Sequence, residues 1–417
     1  MGRPRYSTLP GHELRYGLWQ YPATLRAGRG RSLTIESFMA FSKRSFSYTS
    51  YRVRRLSSCL TAALLLAGFA GLISLAGCGQ TDDNASVDSN DTPRVATQIG
   101  YMPILPDAQL FVNLENGRLD KAGVEADLVS FQNGPAMVQA LASGQLDIAY
   151  FGIGPTMVAR GKGADIRVVA ANIVEQISFV ALAPLAGYFE NGPADTAFAR
   201  FAKAEGRKAK VSTFPIGSVP QTVFDYWRVN TLGIDDSDLQ MVYQGASQVQ
   251  QSLLTGAVDG AAILEPVVSI VQSRSDAARV IASGGELFEN QPGAVMAVRA
   301  AYLNAHPDVV KRLVAAQIDA TKALNAGDDD AVSAVAKHVG GGRLPREIIQ
   351  TAVAHSKDHF VADPHRIVDA TKRMYNFQRE QGTLNGDLDI DALFDTSFFD
   401  AVEGSDGPGH GEPALAN

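Results

Sequence analysis

The residues best placed to bind a ligand lie in short loops that join predicted strands to predicted helices. These loops are rich in Gly and Pro and cover residues 101–105, 132–135, 152–156 and 215–220. In parallel α/β sheets, ligands bind beyond the carboxyl ends of the strands, where helix N-termini offer free N–H groups. We therefore expect a ligand site and no catalytic residue. The predicted contacts are Tyr101, Met102, Pro103, Gln132, Asn133, Gly152, Gly154, Ile216, Gly217, Ser218, Gln244 and Glu265.

Four of these side chains have two possible roles each. Gln132 and Gln244 either contact a ligand or stabilise turns, since an amide both donates and accepts hydrogen bonds. Ser218 either caps a helix or binds an anion. Glu265 pairs either with an amine or ring N–H of the ligand or with a cation at the hinge. Because the loops contain no Lys or Arg, we expect either a small anion held by backbone and amide groups, or a neutral or amine-bearing solute paired with Glu265.

The sequence carries no strong signature of an enzyme or a metal site. It has neither a G-x-S-x-G elbow nor a Walker A loop. His355 and His359 lie four residues apart on a predicted helix, with His365 nearby, so both could face one metal ion. The segment lacks the Glu of H-E-x-x-H, and we expect it to lie far from the ligand cleft. We therefore predict no metal, no cofactor and no enzymatic activity.

An internal repeat indicates how the loops are positioned. The segment LASGQLDIA at 141–149 matches LLTGAVDGA at 253–261, and the same offset aligns Gln132 with Gln244. Each copy predicts a strand, a helix and a second strand, which is the βαβ unit of a parallel sheet. We expect Asp147 and Asp259 to occupy equivalent places and to be structural. From Pro307 onward the pattern is almost entirely helical.

The N-terminal region indicates export. Residues 1–55 hold eleven Lys or Arg and two acids, whereas residues 56–77 carry no charge. A basic segment followed by an apolar one is typical of a secretory signal, although the apolar run could just span a bilayer. The run ends in Leu-Ala-Gly before Cys78, which resembles a bacterial lipobox. We therefore predict an upstream extension and lipoprotein signal over residues 1–77, with lipidation at Cys78.

The composition of the rest of the chain is typical of an acidic globular protein preceded by a flexible tether. From Cys78 onward the chain has 26 basic and 42 acidic residues, a balance that gives no electrostatic footprint for nucleic acid. Residues 78–93 are polar and predict a flexible tether, and residues 403–417 a disordered tail. The only two cysteines are Cys59 and Cys78, so the body has no disulfide.

Between about residues 94 and 402 the chain resembles the substrate-binding proteins of the nitrate, sulfonate and taurine ABC importers. Single motifs are loose, but their order and spacing are specific. This chain has Leu264 where the family often has Trp before Glu-Pro, which leaves the usual ligand classes open. The resemblance rests on GYMP at 100–103, NGRL at 116–119, AGV at 122–124, the tract 140–155, the tract 259–266 and AHPD at 305–308.

This resemblance implies a fold, a function and partners. The fold is an α/β, two-lobed periplasmic-binding-protein fold of type II, with mixed sheets flanked by helices and the ligand cleft between the lobes. Lobe one comprises residues 94–181 and 291–402, and lobe two residues 184–283, with crossovers near Leu182 and at 283–290. The chain would be a monomer in the periplasm or cell envelope, lipid-anchored to the membrane.

The implied function is capture of a small solute such as a sulfonate, taurine or nitrate for an ABC permease and its ATPase subunits. Two alternatives stay open from the sequence. One is a thiamine-pyrimidine precursor binding protein or enzyme of the same fold, and the other is a ligand-sensing module for a membrane receptor. A signal peptide disfavours a cytoplasmic enzyme of that kind.

Overall fold

The ten strands in the part of the chain that the structure describes form two five-stranded sheets of equivalent topology. The structure is a computed structural model that describes residues 94–404 except Asp236. Lobe one is built on the sheet order β2-β1-β3-β10-β4, and lobe two on the order β7-β6-β8-β5-β9. The strands are β1 (Val95–Tyr101), β2 (Val124–Ser130), β3 (Ile148–Gly152), β4 (Ile166–Ala171), β5 (Ile177–Ala181), β6 (Ala209–Thr213), β7 (Leu239–Tyr243), β8 (Gly260–Leu264), β9 (Arg279–Ser283) and β10 (Ala294–Arg299).

In each sheet, three neighbouring strands pair in parallel. A fourth strand runs antiparallel between the third strand and the edge strand. In lobe one, β1 pairs in parallel with β2 and β3, and β10 runs antiparallel between β3 and β4. In lobe two, β6 takes the place of β1, and β5 takes the place of β10. The predicted mixed α/β fold with two lobes is confirmed. The three parallel strands of each lobe end at the same edge, which gathers their loops there.

The two aspartates of the repeat occupy equivalent positions, as predicted. Asp147 precedes β3 and accepts the backbone N–H of Gln98 on β1 at 3.0 Å. Asp259 precedes β8 and accepts the backbone N–H of Lys210 on β6 at 2.8 Å. Each carboxylate also pairs with an arginine, Arg299 for Asp147 and Arg207 for Asp259. Both side chains therefore tie neighbouring strands together and are structural.

Helices cover both sheets and bury two hydrophobic clusters. The longest, α12, begins with Pro307 at its first turn and ends before Gly327, whose φ of +68° closes the helix. The helices are α1 (Ala108–Glu115), α2 (Arg118–Lys121), α3 (Gly134–Ala142), α4 (Ile153–Gly161), α5 (Leu185–Glu190), α6 (Ala197–Glu205), α7 (Val219–Tyr226), α8 (Ala246–Leu254), α9 (Val267–Arg274), α10 (Gly284–Leu287), α11 (Ala300–Ala305), α12 (Pro307–Ala326), α13 (Asp329–His338), α14 (Arg346–His355), α15 (His365–Glu380) and α16 (Ser397–Glu403).

The first crossover between the lobes lies earlier in the chain than predicted. The strand β5 pairs with β8 and β9, so it belongs to lobe two and the crossover occupies residues 172–176 rather than the vicinity of Leu182. The apolar pattern of β5 is compatible with burial in either sheet. The sequence therefore does not indicate to which lobe this strand belongs. The crossover is joined to the returning chain by Glu175 N–H donating to Gln291 O and Gly293 N–H donating to Ile173 O.

Several predictions concern residues outside those described. The signal segment, Cys78, the tether and residues 405–417 of the predicted tail all lie there, so their assignments stay predictions, whereas Glu403, also placed in that tail, ends α16. Among residues 94–404, Asp236 excepted, no helix has both the length and the apolar character needed to cross a membrane.

Candidate functional site

Three helix N-termini come together where the two sheets face one another. The helices α3 and α4 belong to lobe one, and α7 belongs to lobe two. Asn133 and Ser218 cap α3 and α7, because their side-chain oxygens accept backbone N–H groups three residues further on, at 3.1 and 3.5 Å. Capping alone therefore accounts for these two predicted contacts. The helix starts leave free N–H groups beside the space between the lobes.

The lobes are in direct contact around these helix starts. A Cβ atom built on Gly154 of α4 would lie only 2.7 Å from the carbonyl oxygen of Gly217, next to α7. Gln378 of α15 reaches the same loop, and its Nε2 donates to Thr222 Oγ1 at 2.8 Å and to Gly217 O at 3.4 Å. The predicted contacts Gly154 and Gly217 thus form part of the lobe interface. The structure represents a closed form of the two-lobed fold.

A small cavity lies between the closed lobes at the strand ends. Its free volume is about 30 Å³, which is room for a very compact solute. Met102, Gly152 and Ser218, all predicted contacts, lie in its wall. The described lining residues are Met102, Ile104, Pro106, Asp107, Gly134, Phe151, Gly152, Pro155, Gln176, Phe214, Ser218, Val219, Pro220, Leu264 and Ala294.

Asp107 is the candidate residue that the sequence analysis missed. Its side chain is fully buried, and its Oδ2 accepts the N–H of Met102 at 2.8 Å. Its Oδ1 has no hydrogen-bond partner among the described residues. Burial raises the pKa of this carboxyl well above its usual range, and the bond from Met102 opposes that rise. The sequence signal that could have indicated this residue is an acid inside the apolar run before α1. An acid at that position usually caps the helix, but the Asp107 side chain makes no capping hydrogen bond.

A second unpaired acceptor lies in the same cavity. The Oε1 atom of Gln176, in the first crossover, is buried without a hydrogen-bond partner among the residues that the structure describes. None of the described residues that line the cavity is Lys, Arg or His. Buried polar atoms normally have partners, so these two oxygens indicate groups that a ligand or ordered water would satisfy.

A wider cleft of about 670 Å³ adjoins the cavity. Tyr101, Met102, Pro103 and Gln132, all predicted contacts, line it, and Ser247 Oγ of lobe two donates to Gln132 Oε1 at 3.4 Å. Gln132 therefore connects the lobes at this point.

The cationic groups of the wider cleft lie on its lobe-one side. They are Lys337, His338 and Arg343. Lys337 and His338 both pair with Glu115, the latter at 2.8 Å. Both of these side chains are therefore paired within lobe one.

Glu265 lies in a separate cleft of about 640 Å³ on the crossover side. Its Oε1 is 2.9 Å from Nδ1 of His355 on α14, and its carboxylate also accepts the N–H and Oγ–H of Ser269 at 3.0 and 2.9 Å. His355 lines this separate cleft beside Glu265, because α14 folds back against α9. Of the two roles predicted for Glu265, this arrangement matches the salt bridge between the lobes.

Two further predicted contacts lie away from the enclosed cavity. Gln244 accepts hydrogen bonds from Ser212 Oγ at 2.8 Å and Ser252 Oγ at 2.9 Å, all within lobe two. Ile216 is 52% exposed. The described residues also contain no group of three or more His, Cys, Asp or Glu side chains arranged to hold a metal ion.

Comparisons with known proteins match this arrangement. Residues 90–340 match the model of the NMT1-like family. A binding protein of Brucella abortus (strain 2308) is 26% identical over 226 residues, which are 54% of this chain and 65% of that protein. The periplasmic nitrate-binding protein NrtA of Synechocystis PCC 6803 superposes with a TM-score of 0.64 at 14% identity, over 75% of this chain and 89% of that one. The alkanesulfonate-binding protein SsuA of Xanthomonas axonopodis pv. citri gives a TM-score of 0.60 at 17% identity, over 73% and 99%.

Two α/β lobes that close over a cavity at their strand ends define a periplasmic-binding-protein fold of type II. The chain belongs to the NMT1-like family, whose model covers more than half of it. The predicted resemblance to the binding proteins of nitrate and sulfonate importers is confirmed.

Proposed function

We propose that this protein is the extracytoplasmic solute-binding component of an ABC importer. The observation that carries the proposal is the cavity enclosed between the two lobes, with the ends of parallel strands and three helix N-termini around it. The nitrate-binding and alkanesulfonate-binding proteins that share the fold support this role. A membrane permease and its ATPase subunits are the implied partners.

The geometry supports a simple mechanism of capture. The solute binds at the edge of one lobe while the cleft is open, and the second lobe then closes over it. Binding energy shifts the open–closed equilibrium, and the permease recognises the closed form. The crossover segments 172–176 and 290–293 act as the hinge, since they are the connections between the sheets. No bond is made or broken in this cycle.

Anchoring at Cys78 is part of the proposed function. The basic segment, the apolar run and the Leu-Ala-Gly-Cys sequence favour a lipoprotein held at the membrane near its permease. Replacing Cys78 with Ala should abolish incorporation of labelled fatty acid and leave an unprocessed precursor. Cys59→Ala is the matched control, because it alters the other cysteine inside the signal. Normal processing of the Cys78→Ala chain would contradict the anchor but not the binding role.

The binding role is tested by a thermal-shift screen followed by calorimetry. The panel contains nitrate, bicarbonate, alkanesulfonates, taurine, and small amines and amidines. A solute at 100 times its Kd should raise the free energy of unfolding by about 2.7 kcal/mol. Small-angle scattering should then show compaction with the same solute, and cells lacking the protein should lose its uptake. If no small solute stabilises the purified protein, the proposal fails.

A further inference from the structure

Two residues that line the cavity each carry a buried hydrogen-bond acceptor without a donor among the described residues. Asp107 and Gln176 both line it, and Asp107 Oδ1 and Gln176 Oε1 are buried without a hydrogen-bond partner among the described residues. Leaving a buried acceptor unpaired is costly, more so for a carboxylate. The rest of the wall is largely apolar, with Met102, Phe214 and Leu264 around the two oxygens. A solute that donates hydrogen bonds would satisfy both of these oxygens.

We propose that the solute of this protein is a compact N–H donor, such as an amidine, a guanidine, an amine or a primary amide, whose N–H groups bind Asp107 and Gln176. The inference rests on the proposed function and adds the class of solute to it. The proposal disfavours a bare anion as the solute, because an anion offers only hydrogen-bond acceptors to two oxygens that need donors.

The distribution of charge supports a donor rather than an anion. No Lys, Arg or His occurs among the described residues of the cavity wall. The basic side chains of the adjoining wider cleft are Lys337, His338 and Arg343, of which Lys337 and His338 are paired with Glu115. A carboxylate in an apolar, water-poor space attracts a cation more strongly than it would in water. The size of the cavity restricts the part of the solute that enters it to a few heavy atoms.

Asp107 is suited to this role because it is held in place without being neutralised. Its Oδ2 is fixed by the N–H of Met102, which orients Oδ1, and no basic side chain pairs with it. The raised pKa of Asp107 fits a carboxyl that lacks a counter-charge in the closed, empty form. An N–H donor supplies that missing partner. Tyr150 is buried nearby, but its hydroxyl donates to Met296 Sδ at 3.0 Å.

Two pairs of probes of matched shape test the class of solute. Guanidinium and nitrate are both trigonal and planar, and acetamidinium and acetate are both planar with a methyl group. Each pair differs in whether it donates or accepts hydrogen bonds. Calorimetry and thermal shift on the purified protein measure their binding up to millimolar concentrations, since ligands of about four heavy atoms bind at best in the tens of micromolar. We expect guanidinium and acetamidinium to bind and nitrate and acetate not to.

Substitutions then assign the binding to the two oxygens. In Asp107→Asn, the amide oxygen can still accept from Met102 while the amide nitrogen turns a donor toward the cavity. Binding of the donor probes should weaken roughly 10- to 150-fold, the value of a charge-assisted hydrogen bond. Gln176→Met keeps the size of the side chain and should weaken binding by a smaller factor. The control Asp127→Asn removes a charge from an exposed part of lobe one and should bind like the parent.

Each result decides the inference. Preferential binding of nitrate or acetate overturns it, and so does unchanged binding of the donor probes to both Asp107→Asn and Gln176→Met. In either case the importer role stands, because a solute still binds. If the broader screen finds a solute whose affinity neither substitution alters, the inference also fails. Should Asp107→Asn not fold, Gln176→Met together with the paired probes still gives the answer.

Discussion

Closure of the lobes brings Gly154 close to the backbone of lobe two. This residue lies in the first turn of α4, and its missing side chain faces the carbonyl oxygen of Gly217 in lobe two. In Gly154→Ala the new Cβ would lie 2.7 Å from that oxygen. Such a contact is shorter than van der Waals distance, and the atom in the way is backbone, so neither lobe can relieve it by rotating a side chain.

The cost falls on the closed form alone. Overpacking of one methyl group in a tight interface costs about 1–3 kcal/mol. The open form has no such contact, because Gly217 then moves away with lobe two. Since solute binding requires closure, the affinity should fall roughly 5- to 150-fold. The stability of the solute-free protein should be unchanged or slightly higher, because Ala favours a helix over Gly by up to about 1 kcal/mol.

The assay is calorimetry with the solute that stabilises the parent protein, with thermal unfolding of the free protein in parallel. Gly161→Ala is the control, because it changes the last residue of the same helix. Its Cβ would lie 3.5 Å from Asn385 O, an ordinary contact within lobe one. Small-angle scattering should show that solute compacts the control but compacts Gly154→Ala only at higher concentrations. Equal affinity of both variants would refute the role of this contact in closure.

Three other predictions follow from specific contacts. Burial raises the pKa of Asp107, so its neutral form favours folding at low pH and that contribution is lost as the pH rises through the folded-state value. Asp107→Asn should therefore favour the closed form of the solute-free protein at neutral pH, by up to about 1.4 kcal/mol for each tenfold change in the acid constant, so small-angle scattering should show a more compact free protein than the parent at neutral pH and no difference near pH 3. His355→Gln removes the pair with Glu265, and because His355 is 53% exposed the loss of solute affinity should stay below about fivefold and vanish at high salt. Asp147→Asn and Asp259→Asn should each lower the free energy of unfolding by about 1–3 kcal/mol without changing solute affinity, since each carboxylate ties two strands of its own lobe.

Much of the fold could be predicted because its signals are local. The strands Ile166–Ala171 and Leu239–Tyr243 are short apolar runs between Gly and polar residues, a pattern that indicates strands from the sequence alone. The repeat predicted the equivalence of Asp147 and Asp259. The prediction that Ile177–Ala181 belongs to lobe one was wrong. Strand pairing depends on residues far apart in the chain, and the apolar pattern of one strand does not specify its partners.

The site was less predictable than the fold. The loops that meet at the cavity follow from strand order, so Met102, Gly152 and Ser218 could be named from the sequence. Asp107 could not, because an acid near a helix start is usually a cap, and only the packed structure shows its Oδ1 buried and unpaired. The partner of Glu265 comes from α14, far along the chain, and no local pattern indicates that His355 reaches it.

The two lobes contribute unlike chemistry to a duplicated architecture. Lobe one supplies the carboxylate of Asp107 to the cavity, and lobe two supplies the apolar side chains of Phe214, Val219 and Leu264. A solute would therefore meet its hydrogen-bond partner on lobe one first, while water still competes for it. Closure of lobe two then removes that water and strengthens the N–H···O bond, because the same charges interact more strongly in a less polar space. Selectivity and closure are thus coupled. A solute without an N–H donor leaves Asp107 desolvated and unpaired, and the closed form is then no longer lower in free energy than the open form.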